Sequence, residues 1–218
     1  MLNSKKQPAH SILLVSGTFF ALIFLFFWRS VSTKAEWLTQ LDQSLNHLIR
    51  SDLKEPFIKF FKVFTDLGGT MILTLFSVLL FLFLWKTKGL LFSLWAGFTL
   101  LLGELVLPQI VKHIELRPRP LDKLISISGY SFPSGHAAGS TAFYGLTALI
   151  LILFFLKKAR QKWIISILAF LLISLIMFSR VYLGVHYPSD VFAGFSLSAS
   201  LLSFSFYFLF KSPILQRS

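Results

Sequence analysis

Six apolar stretches, near residues 11–28, 68–85, 89–111, 135–156, 163–183 and 189–210, constrain this chain more than any other feature. Each approaches or meets the roughly 17 to 25 residues a helix needs to cross the hydrocarbon core of a bilayer. Backbone inside lipid must satisfy its N–H and C=O groups internally, so the expected fold is all-α, a bundle of six transmembrane helices. Hydrophobic residues make up 55% of the 218, with 26 phenylalanines, more apolar surface than a soluble domain of this size buries. Lys5 and Lys6 precede the first stretch as they would a secretory signal. It is longer than the usual apolar core of a signal, however, and Trp28-Arg29 follows, so it reads as a retained helix. No internal repeat and no Gly/Ser- or Pro-rich linker divides the chain, so residues 1–218 read as a single membrane domain.

The net charge of +12 is arranged for a membrane and not for nucleic acid, because the bases fall in short islands between apolar runs and do not line one soluble face. With both termini cytoplasmic, the inner segments hold Lys5, Lys6, Lys86, Lys88, Lys157, Lys158, Arg160, Lys162, Lys211 and Arg217 and no acid, as the positive-inside rule requires. The connections near 29–67, 112–134 and 184–188 mix both signs and are expected to face outward. The chain has no cysteine, which removes disulfides and thiolate metal sites from consideration. In the long first outer connection, Leu38, Leu41, Leu45, Leu48 and Ile49 recur at helical spacing, predicting an interfacial helix over 37–50 with no catalytic role.

Polar residues gather at the outer ends of three crossings. Lys112, Arg117 and Arg119 close the third; Ser134, Gly135 and His136 open the fourth; Arg180, His186 and Asp190 bracket the turn between the fifth and sixth. A lone cation deep in a bilayer costs about 2.5 to 3.5 kcal/mol on insertion scales, so such groups take partners. Lys112, Arg119 and Arg180 have too few acids nearby, and the missing anion is expected to be a phosphate, whose oxygens match the donor fork of arginine. Ser134 and Gly135 stand at a predicted helix N-terminus, where free N–H groups and the helix dipole favour an anion. His186 and Asp190 are four residues apart, a spacing at which a carboxylate can orient an imidazole as nucleophile. His136 is then available to protonate a leaving oxygen. His136, His186 and Asp190 could also form a two-histidine, one-carboxylate metal face, but three cations at the same level would repel a divalent ion, so no metal is expected.

Lys112 and, seven residues on, Arg119-Pro120, then Pro133-Ser134-Gly135-His136, then Ser179-Arg180 with His186 and Asp190 resemble the three-part signature of the type 2 phosphatidic acid phosphatase family. The match is complete, ordered and correctly spaced over about 80 residues. The resemblance implies a helical membrane enzyme acting on a lipid phosphate without metal or cofactor, similar to bacterial phosphatidylglycerophosphatases B and undecaprenyl pyrophosphate phosphatases. It implies a phosphohistidine on His186, orientation by Asp190, general acid catalysis by His136, and phosphate binding by Lys112, Ser134, Gly135, Arg119 and Arg180. Two polar residues stay outside that scheme. Glu104 lies two helical turns before Lys112 and is expected either to neutralise it or to touch a lipid headgroup. Arg117 is expected at the surface or on a headgroup. The competing reading, from another class, is a phospholipid-binding or transport protein with the same cations and no hydrolysis.

Overall fold

The computed structural model describes residues 7–216, and every regular element in that range is helical. In chain order the helices are α1 (Gln7–Ser32), α2 (Glu36–Arg50), α3 (Glu55–Phe64), α4 (Thr70–Lys88), α5 (Leu90–Glu115), α6 (Gly135–Phe155), α7 (Ala159–Tyr182) and α8 (Pro188–Lys211). All except α2 and α3 are long and apolar enough to cross a membrane, in agreement with the six stretches read from the sequence. Six crossings put the start of α1 and the end of α8 on one side and the connections 33–69, 116–134 and 183–187 on the other. Of the ten bases assigned to the inner side, Lys5, Lys6 and Arg217 lie outside the described residues.

Local sequence sets the boundaries. Gly89 joins α4 to α5 by itself, with φ 88° and ψ 168°, a backbone conformation essentially reserved for glycine. Leu116 takes the left-handed conformation after α5 and returns its N–H to the Lys112 carbonyl at 3.0 Å, and the prolines of Arg117-Pro118-Arg119-Pro120 keep the chain from continuing as helix. Pro188 occupies the first helical position of α8, where its missing N–H costs nothing. Within α5, Pro108 lacks the N–H that an α-turn would use, and the preceding turn, Leu101–Val106, is wound more widely as a π-turn. Glu104 sits on that widened turn.

The centre of the bundle is α6. Ala137, Ala138, Ala142 and Leu146 are wholly buried, which lets α7 and α8 close against it while α4 and α5 pack behind. Leu84, Phe92, Ile150 and Phe206 fill the half of the bundle nearer the chain ends. The outer faces stay apolar: Val15, Phe19 and Leu22 on α1, Leu75 and Val78 on α4, and Ile167 and Phe170 on α7 are exposed, as lipid contact requires.

A helix falls where the leucine spacing predicts one, as α2. It does not present a single apolar face to the membrane. Leu38 and Asp42, one turn apart, are both buried against the bundle, while Leu41 and Leu48 point outward. Helix α3 was not read from the sequence. Its ten residues open on Glu55-Pro56, and it buries Phe61 while leaving Phe57 and Phe60 exposed.

Candidate active site

Three connections on the same side of the bundle bring the three polar clusters to one place. Helix α5 ends with Lys112 in its last turn, and its ammonium donates to the Tyr130 carbonyl at 2.9 Å. Arg119, in the proline-bound loop beyond, donates to the carbonyls of Gly129 and Val185 at 3.0 and 2.8 Å and reaches His186 Nε2 at 3.0 Å. Ser134 caps α6, its hydroxyl accepting the Ala137 N–H at 3.4 Å, while its own N–H donates to the Asp190 carbonyl at 2.9 Å. Gly135 and His136 therefore form the first turn of α6, and both line a cavity of about 310 Å³ together with Lys112, Arg119, His186 and Glu104.

Arg180 comes from the last turn of α7 and is only 1% exposed. It donates to Thr65 Oγ1 at 2.8 Å, and its Nε and Nη2 are buried without a protein partner. Buried guanidinium donors left open cost more than neutral ones, so their presence marks a place for an anion. Among the described residues no carboxylate lies within ion-pairing distance of Lys112, Arg119 or Arg180. Burial pulls Arg119 below its ordinary pKa, with Asp190 acting in the opposite sense, yet a guanidinium remains a cation at neutral pH.

His186 lies between this cationic group and Asp190. Its Nδ1 is 3.4 Å from Asp190 Oδ2, which leaves Nε2 to accept from Arg119. The rest of the Asp190 carboxylate is occupied: Oδ2 also accepts the Tyr187 N–H at 2.8 Å and the Ser131 hydroxyl, and Oδ1 accepts Arg117 Nη1 at 2.7 Å. Burial lowers the pKa of His186; Asp190 raises it, and Arg180 and Arg119 add to the lowering, so the net shift is downward. At neutral pH the imidazole is therefore neutral, and its partners assign the proton to Nδ1, facing Asp190, and the lone pair to Nε2, facing Arg119. Nitrogen-15 spectra of histidine-labelled protein without ligand should keep the neutral His186 pattern on acidification to about pH 5.5, a unit below the ordinary imidazole value. An imidazolium at that pH would contradict the burial argument.

Every residue named as catalytic or phosphate-binding in the sequence converges here, but two polar expectations change. Glu104 forms no ion pair with Lys112; its Oε1 accepts the Ser77 hydroxyl at 2.8 Å, because the π-turn places it facing α4. It still lines the cavity. Arg117 is neither on the surface nor free for a headgroup. Its side chain is 16% exposed and bridges Asp190 and Asp42, and its guanidinium lies 4.2 Å from the centre of the Tyr187 ring. Four supporting residues escaped the sequence reading: Asp42, Thr65, Ser131 and Ser189. The one signal any of them carried was an acid at position 42, one turn from Leu38 on the inward side of α2.

Residues 92–214 match the family model described as the PAP2 superfamily. The chain belongs to that superfamily. A solved structure with the same layout is the transmembrane PAP2-type phosphatidylglycerolphosphate phosphatase from Bacillus subtilis, with a TM-score of 0.77, 27% identity, and coverage of 90% of this chain and 96% of that one. Among curated relatives, phosphatidylglycerophosphatase B of Bacillus subtilis is 35% identical over 49% of this chain and 55% of its own length. Lipid A 4'-phosphatase of Bacteroides thetaiotaomicron is 29% identical over 80% of this chain and 79% of its own. The alignment thus spans about half the length of the first of these relatives. This PAP2 protein is similar to phosphatases named for different substrates.

Proposed function

We propose that this PAP2 protein is a membrane lipid phosphatase that removes the terminal phosphate of a lipid phosphate through a phosphohistidine, with phosphatidylglycerol phosphate as the first candidate substrate. The observation that carries the reading is a cavity lined by His136, His186, Lys112 and Arg119, backed by a buried arginine with open donors. The phosphate sits in that cavity on Lys112, Arg119, Arg180 and the first turn of α6, with Ser134 and Gly135 at its start. These groups stabilise charge on the equatorial oxygens as it develops.

His186 Nε2 attacks phosphorus; the P–N bond forms as the bond to the leaving oxygen breaks, and His136 gives that oxygen a proton. Asp190 holds the Nδ1 proton and offsets the positive charge the ring acquires. Water then attacks the phosphohistidine, returns a proton to His136, and phosphate leaves with His186 regenerated. No step uses a metal or cofactor. The three connections that carry the site lie at the opposite ends of the crossings from Lys86, Lys88, Lys157, Lys158 and Lys211, and by the positive-inside rule this supports chemistry at the extracytoplasmic face with both termini in the cytoplasm.

The test uses purified protein in detergent with phosphatidylglycerol phosphate, phosphatidic acid, undecaprenyl pyrophosphate and a lipid A phosphate offered side by side. Release of inorganic phosphate is expected, highest from phosphatidylglycerol phosphate. Vanadate, which mimics the five-coordinate transition state, should inhibit, and EDTA should leave the rate unchanged. Tight phosphate binding with no release from any of the four would instead favour the binding or transport reading. Activity abolished by EDTA and restored by a divalent ion would overturn the metal-free route.

A further inference from the structure

We infer that Asp42, on helix α2, is a positioning residue for the reaction, acting through Arg117 on the carboxylate that orients His186. The inference rests on the phosphatase reading above.

Asp42 is 1% exposed and carries a complete set of donors: Arg117 Nη2 at 2.8 Å, the Ser189 hydroxyl at 2.7 Å and the Ser189 N–H at 2.9 Å. The other prong of the same guanidinium, Nη1, donates to Asp190 Oδ1 at 2.7 Å and to the Ser189 hydroxyl at 2.8 Å. Arg117 is thus held at both prongs between two buried carboxylates, one of which orients the reacting imidazole. Neither Arg117 nor Asp42 borders the phosphate cavity. Both face a separate space of about 550 Å³ between the end of α1, α2 and the start of the 116–134 loop. From there they cannot touch the transferring phosphoryl group, and any effect on the reaction passes through Asp190.

The charge balance gives that effect a direction. A guanidinium paired with Asp190 alone would neutralise it, and the carboxylate would have little left with which to hold the Nδ1 proton of His186. Asp42 takes half of the fork, so Asp42, Arg117 and Asp190 together keep one net negative charge. That charge faces the ring as it turns positive on phosphorylation. Arg117 also fixes Oδ1, leaving Oδ2 aimed at His186. The residue that divides the arginine is on α2, so seating of this helix and competence of the nucleophile are one arrangement.

The experiment compares wild type, Asp42→Asn and Arg117→Lys in detergent on phosphatidic acid in mixed micelles, with rates counted per molecule of monodisperse protein. The lysine keeps the cation but cannot span two carboxylates. Each variant should lower kcat by about 10- to 100-fold, the range for outer partners that orient a reacting group, with KM within about threefold of wild type. Both changes break the same path, so the double variant should be no slower than the slower single one. A purely structural role for Asp42 would lower thermal stability while kcat per folded molecule stayed at the wild-type value, and that result overturns the inference. So do losses confined to KM, or losses that multiply in the double variant. If Asp42→Asn does not yield monodisperse protein, Arg117→Lys decides alone, and wild-type kcat in it is fatal. A wild type inactive on all four lipids of the panel removes the phosphatase reading and this inference with it; an active wild type with equally active variants removes this inference only.

Discussion

Replacing His186 with alanine is expected to lower phosphate release on the order of 10⁴-fold or more, the scale on which removing a nucleophile acts. The protein should still fold. Without the imidazole, Arg119 keeps the carbonyls of Gly129 and Val185, and Asp190 keeps Arg117, Ser131 and the Tyr187 N–H, so neither charge is left buried and unpartnered. Rate per monodisperse molecule and the thermal midpoint, measured on the same preparation, separate the two effects. Wild-type protein quenched during turnover should also carry phosphate through a P–N bond, stable in alkali and lost in acid, and His186→Ala should carry none. An alanine variant that released phosphate at even a tenth of the wild-type rate would end the proposed mechanism, since no other imidazole touches Asp190 among the described residues.

The crossings were legible because lipid imposes a length and a polarity on each segment that need no knowledge of its neighbours. The third crossing shows how far that goes. Its extent followed from the apolar run, but the π-turn before Pro108, and with it the direction of Glu104, depends on how the helix accommodates a missing N–H inside the bundle. The site divides in the same way. Lys112, Arg119, Ser134, Gly135, His136, Arg180, His186 and Asp190 could be gathered by type and spacing, since each lies at the end of a crossing and crossings alternate in direction. Arg117 could not be read, because its partner Asp42 is 75 residues away in a helix whose leucines looked like the reason for its existence. Ser131 and Thr65 carry no sequence signature; each is a hydroxyl that matters because a buried charge happens to need it. Helix α3 was missed for a related reason, a ten-residue element too short for a periodic pattern to stand out from a loop.

Gly194→Ala is expected to be the most damaging single-methyl change outside the reacting groups. Gly194 faces the turn that opens α6, and a β-carbon there would stand 2.5 Å from the Ser134 carbonyl oxygen, with the Ala137 Cβ and the Ala138 N–H nitrogen each 3.2 Å away. All three neighbours are backbone or a buried alanine, so no flexible side chain can swing aside. The Ser134 turn cannot yield freely either, because its N–H is bonded to the Asp190 carbonyl at 2.9 Å and its hydroxyl caps α6. The methyl group must therefore move α8 from α6, and those two helix starts carry Asp190 on one side and Ser134, Gly135 and His136 on the other. Overpacking of this kind costs about 1 to 3 kcal/mol of stability. The larger consequence is geometric, since a displacement of about 1 Å between reacting groups can cost on the order of 10²-fold in rate. Phosphate release should fall by about that factor while the thermal midpoint drops by about 2 to 12 °C, at about 2 to 4 °C per kcal/mol for a chain of this length. A variant that loses stability yet retains the wild-type rate would show that the two helix starts do not need this separation, and that the phosphate turn and the Asp190 carboxylate act independently of each other.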